Sequence, residues 1–142
     1  GTVEANKINA HLIQSFIYYI AEKSTDETMF GTAEYLRDKI WDIRMYMVEN
    51  YRSVTLASTA KQFHYSESYL SRLIRRQLGM SFSQLLQTIR LEKSCEFLIN
   101  SDIPITELCE RVGYDNESYY IQLFRKVYGI TPLQYRKKNR RF

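Results

Sequence analysis

The sequence predicts an all-α protein: two helix-turn-helix units joined by a long linker helix, with an extra helical segment at the N-terminus. Three observations predict it. Chain breakers are scarce, with five Gly and two Pro in 142 residues, while Leu, Ile, Lys, Arg, Glu and Gln, which enter helices at little cost, are abundant. Apolar residues recur at the helical period rather than alternating. The second half of the chain repeats the first at a nearly fixed offset.

The elements follow in order. Ile8, Leu12, Ile13, Phe16, Ile17 and Ile20 make a wide apolar stripe that predicts a helix over 8–22. Ser24 to Gly31 is polar and turn-like. A second helix is expected from about Ala33 to Tyr51, with Ile40, Ile43, Tyr46 or Met47, and Tyr51 inward. Thr55 then caps a short helix, Leu56 to Phe63. His64-Tyr65 makes a tight turn, and Ser66 caps a helix that buries Leu70, Leu73, Ile74 and Leu78 and ends at Gly79. Ser81 opens a longer helix to about Ile99 that carries Leu85, Leu86, Ile89 and Leu98, and Asn100 to Pro104 breaks it. Thr106 is expected to cap a short helix to Val112, closed by Gly113. Asn116 caps the next, with Tyr120, Leu123, Phe124 and Val127, closed by Gly129. Thr131-Pro132 starts a last short helix, with Pro at its favoured first position.

The repeat gives this order a meaning. Glu67-Ser68-Tyr69 recurs fifty positions later as Glu117-Ser118-Tyr119, Leu73 as Leu123, Arg75-Arg76 as Arg125-Lys126, Gly79 as Gly129 and Ser81 as Thr131. Upstream of the turn the offset is forty-nine: Leu56 matches Ile105, Ala60 matches Cys109, Phe63 matches Val112 and Tyr65 matches Tyr114. Each copy is a short helix, a tight turn and a longer helix, with a small residue, Ala60 or Cys109, where the helices cross. That is the pattern of a helix-turn-helix.

The outward faces carry the chemistry. Burying Leu70, Leu73 and Ile74 leaves Ser68, Ser71, Arg72 and Arg75 outward. Burying Tyr120, Leu123 and Phe124 leaves Ser118, Ile121, Gln122 and Arg125 outward. Arg can fork onto guanine and Gln can pair with adenine. Ile121 either meets a thymine methyl or is a peripheral core residue. Glu67 and Glu117 either complement the positive end of their helix or accept from cytosine. Arg75, Arg76, Arg125 and Lys126 suit phosphates, as do Lys137 and Lys138 within the dense tail Arg136-Lys137-Lys138-Asn139-Arg140-Arg141.

Charge divides the chain. Residues 1–38 carry three basic and six acidic side chains, and residues 39–142 carry 17 basic and 10 acidic ones, for a net +4. The basic part suits a polyanion. Cys95 and Cys109 belong to no metal-binding spacing and fall in apolar helical patterns, as reduced core residues do. No stretch reads as a signal peptide and no apolar run approaches a membrane span, so a cytoplasmic, nucleoid-associated location is expected, with no membrane partner. The chain opens at Gly1-Thr2 rather than Met, which reads as a piece of a longer protein.

At this point the sequence resembles the AraC/XylS family of bacterial transcription regulators, over about Asp42 to Arg141. The most specific stretch runs from Ile105 to Tyr114, then Ser118-Tyr119-Tyr120, Phe124-Arg125-Lys126, Gly129 and Thr131-Pro132-Leu133-Gln134-Tyr135-Arg136. The resemblance implies a double helix-turn-helix domain of seven helices over 39–142, with 81–99 as the linker helix. It implies recognition helices of about Ser66–Leu78 and Asn116–Tyr128 in successive major grooves. Family base-reading positions fall on Ser68, Ser71 and Arg72, and on Glu117, Ser118, Ile121 and Gln122. Two positions depart from the pattern. His64 stands where the second copy has Gly113, and is either a surface turn residue or a phosphate contact. Gln122 stands where basic residues are common, which weakens the expectation of base reading by the second copy.

Residues 1–38 lie outside the resemblance. They are a remnant of a sensor or dimerisation domain, a dimerisation helix, or a segment that packs on the domain's back. The function expected is sequence-specific binding of double-stranded DNA at a bipartite, asymmetric promoter site and regulation of transcription, as an activator. RNA polymerase is an expected partner, as is an effector or dimer partner acting through a further domain. A helical protein-interaction module is the other reading, but it does not require arginines on matching faces of two repeated helices. No catalytic set, phosphate-cradling loop or metal cluster is legible, so neither an enzyme nor a cofactor is expected.

Overall fold

A computed structural model describes residues 30–140. The expected helix over 8–22 lies outside the described residues. Seven helices and no strands occur among them: α1 (Phe30–Glu49), α2 (Leu56–Gln62), α3 (Glu67–Leu78), α4 (Phe82–Asn100), α5 (Ile105–Arg111), α6 (Glu117–Tyr128) and α7 (Pro132–Asn139). The fold is the expected all-α one. The described chain forms two compact units, residues 30–87 and 88–140, and passes from one to the other within α4.

In the first unit, α1 runs unbroken across residues 38 and 39. It buries Ile40, Ile43 and Met47 completely. Met47 takes the inward place, while Tyr46 is half-buried with its ring edge-on to Phe63 at 5.8 Å. The helix ends where Asn50 Nδ2 donates to the Tyr46 carbonyl (2.8 Å). A reciprocal cap starts α2: Thr55 Oγ1 accepts from the Ser58 amide and Ser58 Oγ accepts from the Thr55 amide. Ser66 Oγ caps α3 by accepting from the Tyr69 amide (3.1 Å), and Gly79 ends it at φ 70°. Leu70, Leu73, Ile74 and Leu78 are buried as expected. His64, at the turn, has φ 59°.

In the second unit the same plan recurs with one change. α5 starts two residues earlier than the hydroxyl pattern suggests. Pro104 occupies the cap position and supplies no side-chain cap, so Thr106 lies inside the helix and its hydroxyl is spent elsewhere. Asn116 Oδ1 caps α6 by accepting from the Tyr119 amide (2.9 Å), and Gly129 ends it at φ 80°. Thr131 and Gln134 cap α7 reciprocally, with Pro132 in the first turn. The core gathers Cys95, Leu98, Leu108, Cys109, Val112, Tyr120, Phe124 and Tyr135. The Phe124 ring centres it, 5.9 Å from Tyr120, 4.5 Å from Tyr128 and 5.4 Å from Tyr135. Leu123, expected inward, is half-buried. Cys95 and Cys109 are buried and unpaired, and burial pushes the Cys95 thiol up to about 11, so it stays a protonated core residue.

Candidate nucleic-acid interface

α3 and α6 are the second helices of the two helix-turn-helix units, and each turns one face to the core and the other outward. On α3 the outward face holds Ser68, Arg72, Arg75 and Arg76, all exposed, with Ser71 half-buried at its edge. Arg72 Nε donates to the Ser68 carbonyl at 3.4 Å, which lays the guanidinium back along the helix toward its N-terminus. Glu67, Ser68, Ser71, Arg72 and Leu56 line one open, shallow patch between the starts of α2 and α3. On the other flank, Leu36 of α1 meets Tyr69, Leu73, Arg72, Arg75 and Arg76 in a groove of about 480 Å³.

On α6, Ser118, Gln122, Arg125 and Lys126 are exposed, while Glu117 and Ile121 are half-buried. Ile121 therefore keeps part of its surface available and packs the rest. Glu117 Oε2 accepts from Thr106 Oγ1 at 2.8 Å, so α5 holds this carboxylate. Both helices begin with a Glu and end with basic residues in the last turn, an order that complements their dipoles.

The basic tail divides. Lys137 and Lys138 are exposed on α7, but Arg136 is 6% exposed. Its Nε donates to the Leu98 carbonyl (3.3 Å), and burial lowers its pKa from the usual guanidinium range. Arg140 pairs with Asp102. Arg136 is thus a packing residue rather than part of the exposed basic cluster.

Two residues that sequence reasoning passed over stand out. Tyr69 and Tyr119, third in their helices, are 40% and 51% exposed. Each leans on the aromatic of its own turn, Tyr65 at 4.8 Å and Tyr114 at 6.0 Å. Their recurrence at the fifty-residue offset was the signal. Among the described residues, no group of His, Cys, Asp and Glu is arranged to hold a metal ion, and no helix is long and apolar enough to cross a membrane.

Two helix-turn-helix units that each expose a polar and basic face of the second helix define a helix-turn-helix DNA-binding protein. The comparisons agree. A family model described as a helix-turn-helix domain matches residues 59–138. The C-terminal domain of AraT, a response regulator from Geobacillus stearothermophilus, superposes with a TM-score of 0.65 at 40% identity, covering 71% of this chain and 85% of that one. The HTH-type transcriptional activator CfaD of Escherichia coli is 27% identical over 141 residues, covering 93% of this chain and 52% of CfaD. YtdP, an HTH-type transcriptional regulator of Bacillus subtilis, is 32% identical over 87 residues, covering 61% of this chain and 11% of YtdP. This chain therefore belongs to the AraC-type helix-turn-helix family, a family of DNA-binding transcription regulators and not of enzymes. It spans from 11% to 52% of the length of these two curated relatives.

Proposed function

We propose that the chain reads a bipartite, asymmetric site on double-stranded DNA, with α3 and α6 in successive major grooves, and that the protein it belongs to activates transcription there. The observation that carries this reading is the repeat of an outward, helix-borne face that keeps a Glu-Ser start (Glu67-Ser68, Glu117-Ser118) but differs between the copies further along: Ser71 and Arg72 against Ile121 and Gln122. Two non-identical heads on one chain need two non-identical boxes about one helical turn apart, roughly 10 bp centre to centre. Arg75, Arg76, Arg125, Lys126, Lys137 and Lys138 hold the backbone, which fixes position without reading sequence.

Activation is favoured by the similarity to CfaD, a transcriptional activator. RNA polymerase is the partner that activation requires. Selection of bound sites from random duplex DNA, followed by footprinting, tests the reading. Two unlike boxes protected by a single chain are expected. A single box, or a strict inverted repeat bound only by dimers, overturns it.

A further inference from the structure

We propose that Glu67 is a cytosine-reading carboxylate of the first helix-turn-helix, and that Thr106 withdraws the matching carboxylate, Glu117, from the same task in the second. The proposal rests on the reading that α3 and α6 enter major grooves.

By sequence Glu67 and Glu117 are equivalent, each the first residue of its recognition helix. By structure they are not. Glu117 is half-buried and accepts from Thr106 Oγ1 at 2.8 Å. Thr106 is the second residue of α5. Forty-nine positions earlier, the second residue of α2 is Ala57, whose methyl group has no proton to donate. Glu67 is exposed and shares one open, shallow patch with Ser68, Ser71, Arg72 and Leu56.

An ionised carboxylate only accepts hydrogen bonds. Against DNA it is repelled by phosphates, so in a groove its favourable partners are base amino groups. Cytosine presents N4 as a donor alone, whereas adenine sets N7, an acceptor, beside its amino group. The carboxylate therefore favours cytosine. Arg72, in the same patch, offers the forked donors that guanine N7 and O6 accept. A carboxylate and a guanidinium on one patch carry the acceptor and the donors that the two halves of one C·G pair call for.

The test uses the full chain and the sites it selects from random duplex DNA, titrated as every single-base variant of both boxes. Glu67→Gln keeps shape and removes charge. It should lower the preference for cytosine at one position of the first box by about tenfold, within the range one matched base contact supplies. Ala57→Thr, which installs a hydroxyl at the place in α2 that Thr106 holds in α5, should act in the same direction. Thr106→Ala should give the second box a cytosine preference that it lacks.

A carboxylate that only repels the backbone would make Glu67→Gln tighten binding to every sequence alike. One that only complements the helix dipole would lower the unfolding midpoint with base preferences intact. Either result overturns the proposal. A wild-type chain that selects no sequence overturns this proposal and the reading beneath it together. A selected site whose preferences survive both Glu67→Gln and Ala57→Thr overturns this proposal alone.

Discussion

Arg136 Nε donates to the carbonyl oxygen of Leu98 at 3.3 Å, from inside the core. Leu98 lies in the last turn of α4, where helix carbonyls have no partner of their own. Arg136 thus satisfies one of them and fastens α7 to α4. Removing it leaves a buried carbonyl unpaired. Arg136→Ala should cost about 1–3 kcal/mol of stability. Lys137→Ala, one residue on and exposed, should leave stability unchanged and weaken DNA binding of all sequences alike. Urea unfolding of the two variants checks this, and coincident midpoints would refute the packing role.

His64 adopts φ 59° at the turn between α2 and α3, where the second unit uses Gly113 at φ 100°. A residue with a Cβ pays roughly 1–2 kcal/mol for that conformation, and glycine gives back part of the gain through a freer unfolded chain. His64→Gly should raise stability by up to about 1 kcal/mol. If His64 is a surface turn residue, the salt dependence of DNA binding stays as it was. If it touches a phosphate, the salt slope becomes shallower by about one contact.

The caps and the repeat were legible because their causes are local. A hydroxyl or amide three residues before a free amide marks a helix start, as at Ser66, Asn116 and Thr131. A glycine able to take positive φ marks an end, as at Gly79 and Gly129. What escaped depends on partners far along the chain. Thr106 reads as a cap from its neighbours, yet Pro104 takes that place and the hydroxyl bonds Glu117, eleven residues away. Arg136 reads as part of a solvated basic run, since only the fold brings Leu98, 38 residues earlier, beneath it. Leu123 belongs to the periodic stripe but sits at its edge and is half-buried. Which outward residues touch bases is set by the DNA, and periodicity carries no record of it.

Binding should depend strongly on salt. Arg75, Arg76, Arg125, Lys126, Lys137 and Lys138 are all exposed, and amides at the helix starts can join them. With roughly six to ten phosphate contacts, affinity should fall by about 10³ to 10⁵ between about 50 and 200 mM salt. A nearly flat plot of log affinity against log salt would defeat this expectation.

The segment before α1 should be separable from site preference. It carries no helix-turn-helix pattern, whereas α1 supplies Ile40, Ile43 and Met47 to the first unit's core. The cut must therefore spare Phe30 onward. Removing residues 1–29 should leave the selected sequence unchanged, although self-association or stability can fall. A truncated chain that folds and selects a different sequence would make the segment part of the reading surface.

The two heads should differ in how much sequence they read. Arg72 is exposed on α3 one turn past Ser68, whose carbonyl it touches at 3.4 Å. That contact uses Nε and leaves the terminal donors of the guanidinium able to fork onto guanine N7 and O6. Gln122 is exposed at the equivalent place on α6. It is neutral, so it gains nothing from phosphates if no base partner is found, while the charges of Arg125 and Lys126 can hold α6 to the backbone whatever the sequence. Arg72→Ala should cost about 1–3 kcal/mol of binding and relax preference at one or two positions of the first box. Gln122→Ala should cost less than Arg72→Ala. Arg125→Ala should weaken every sequence by the same factor and make the salt slope shallower by about one contact. Titrating the three variants against the best site and against single-base changes in each box separates these outcomes. A greater loss of specificity from Gln122→Ala than from Arg72→Ala would make the second helix-turn-helix the principal reader and reverse the ranking.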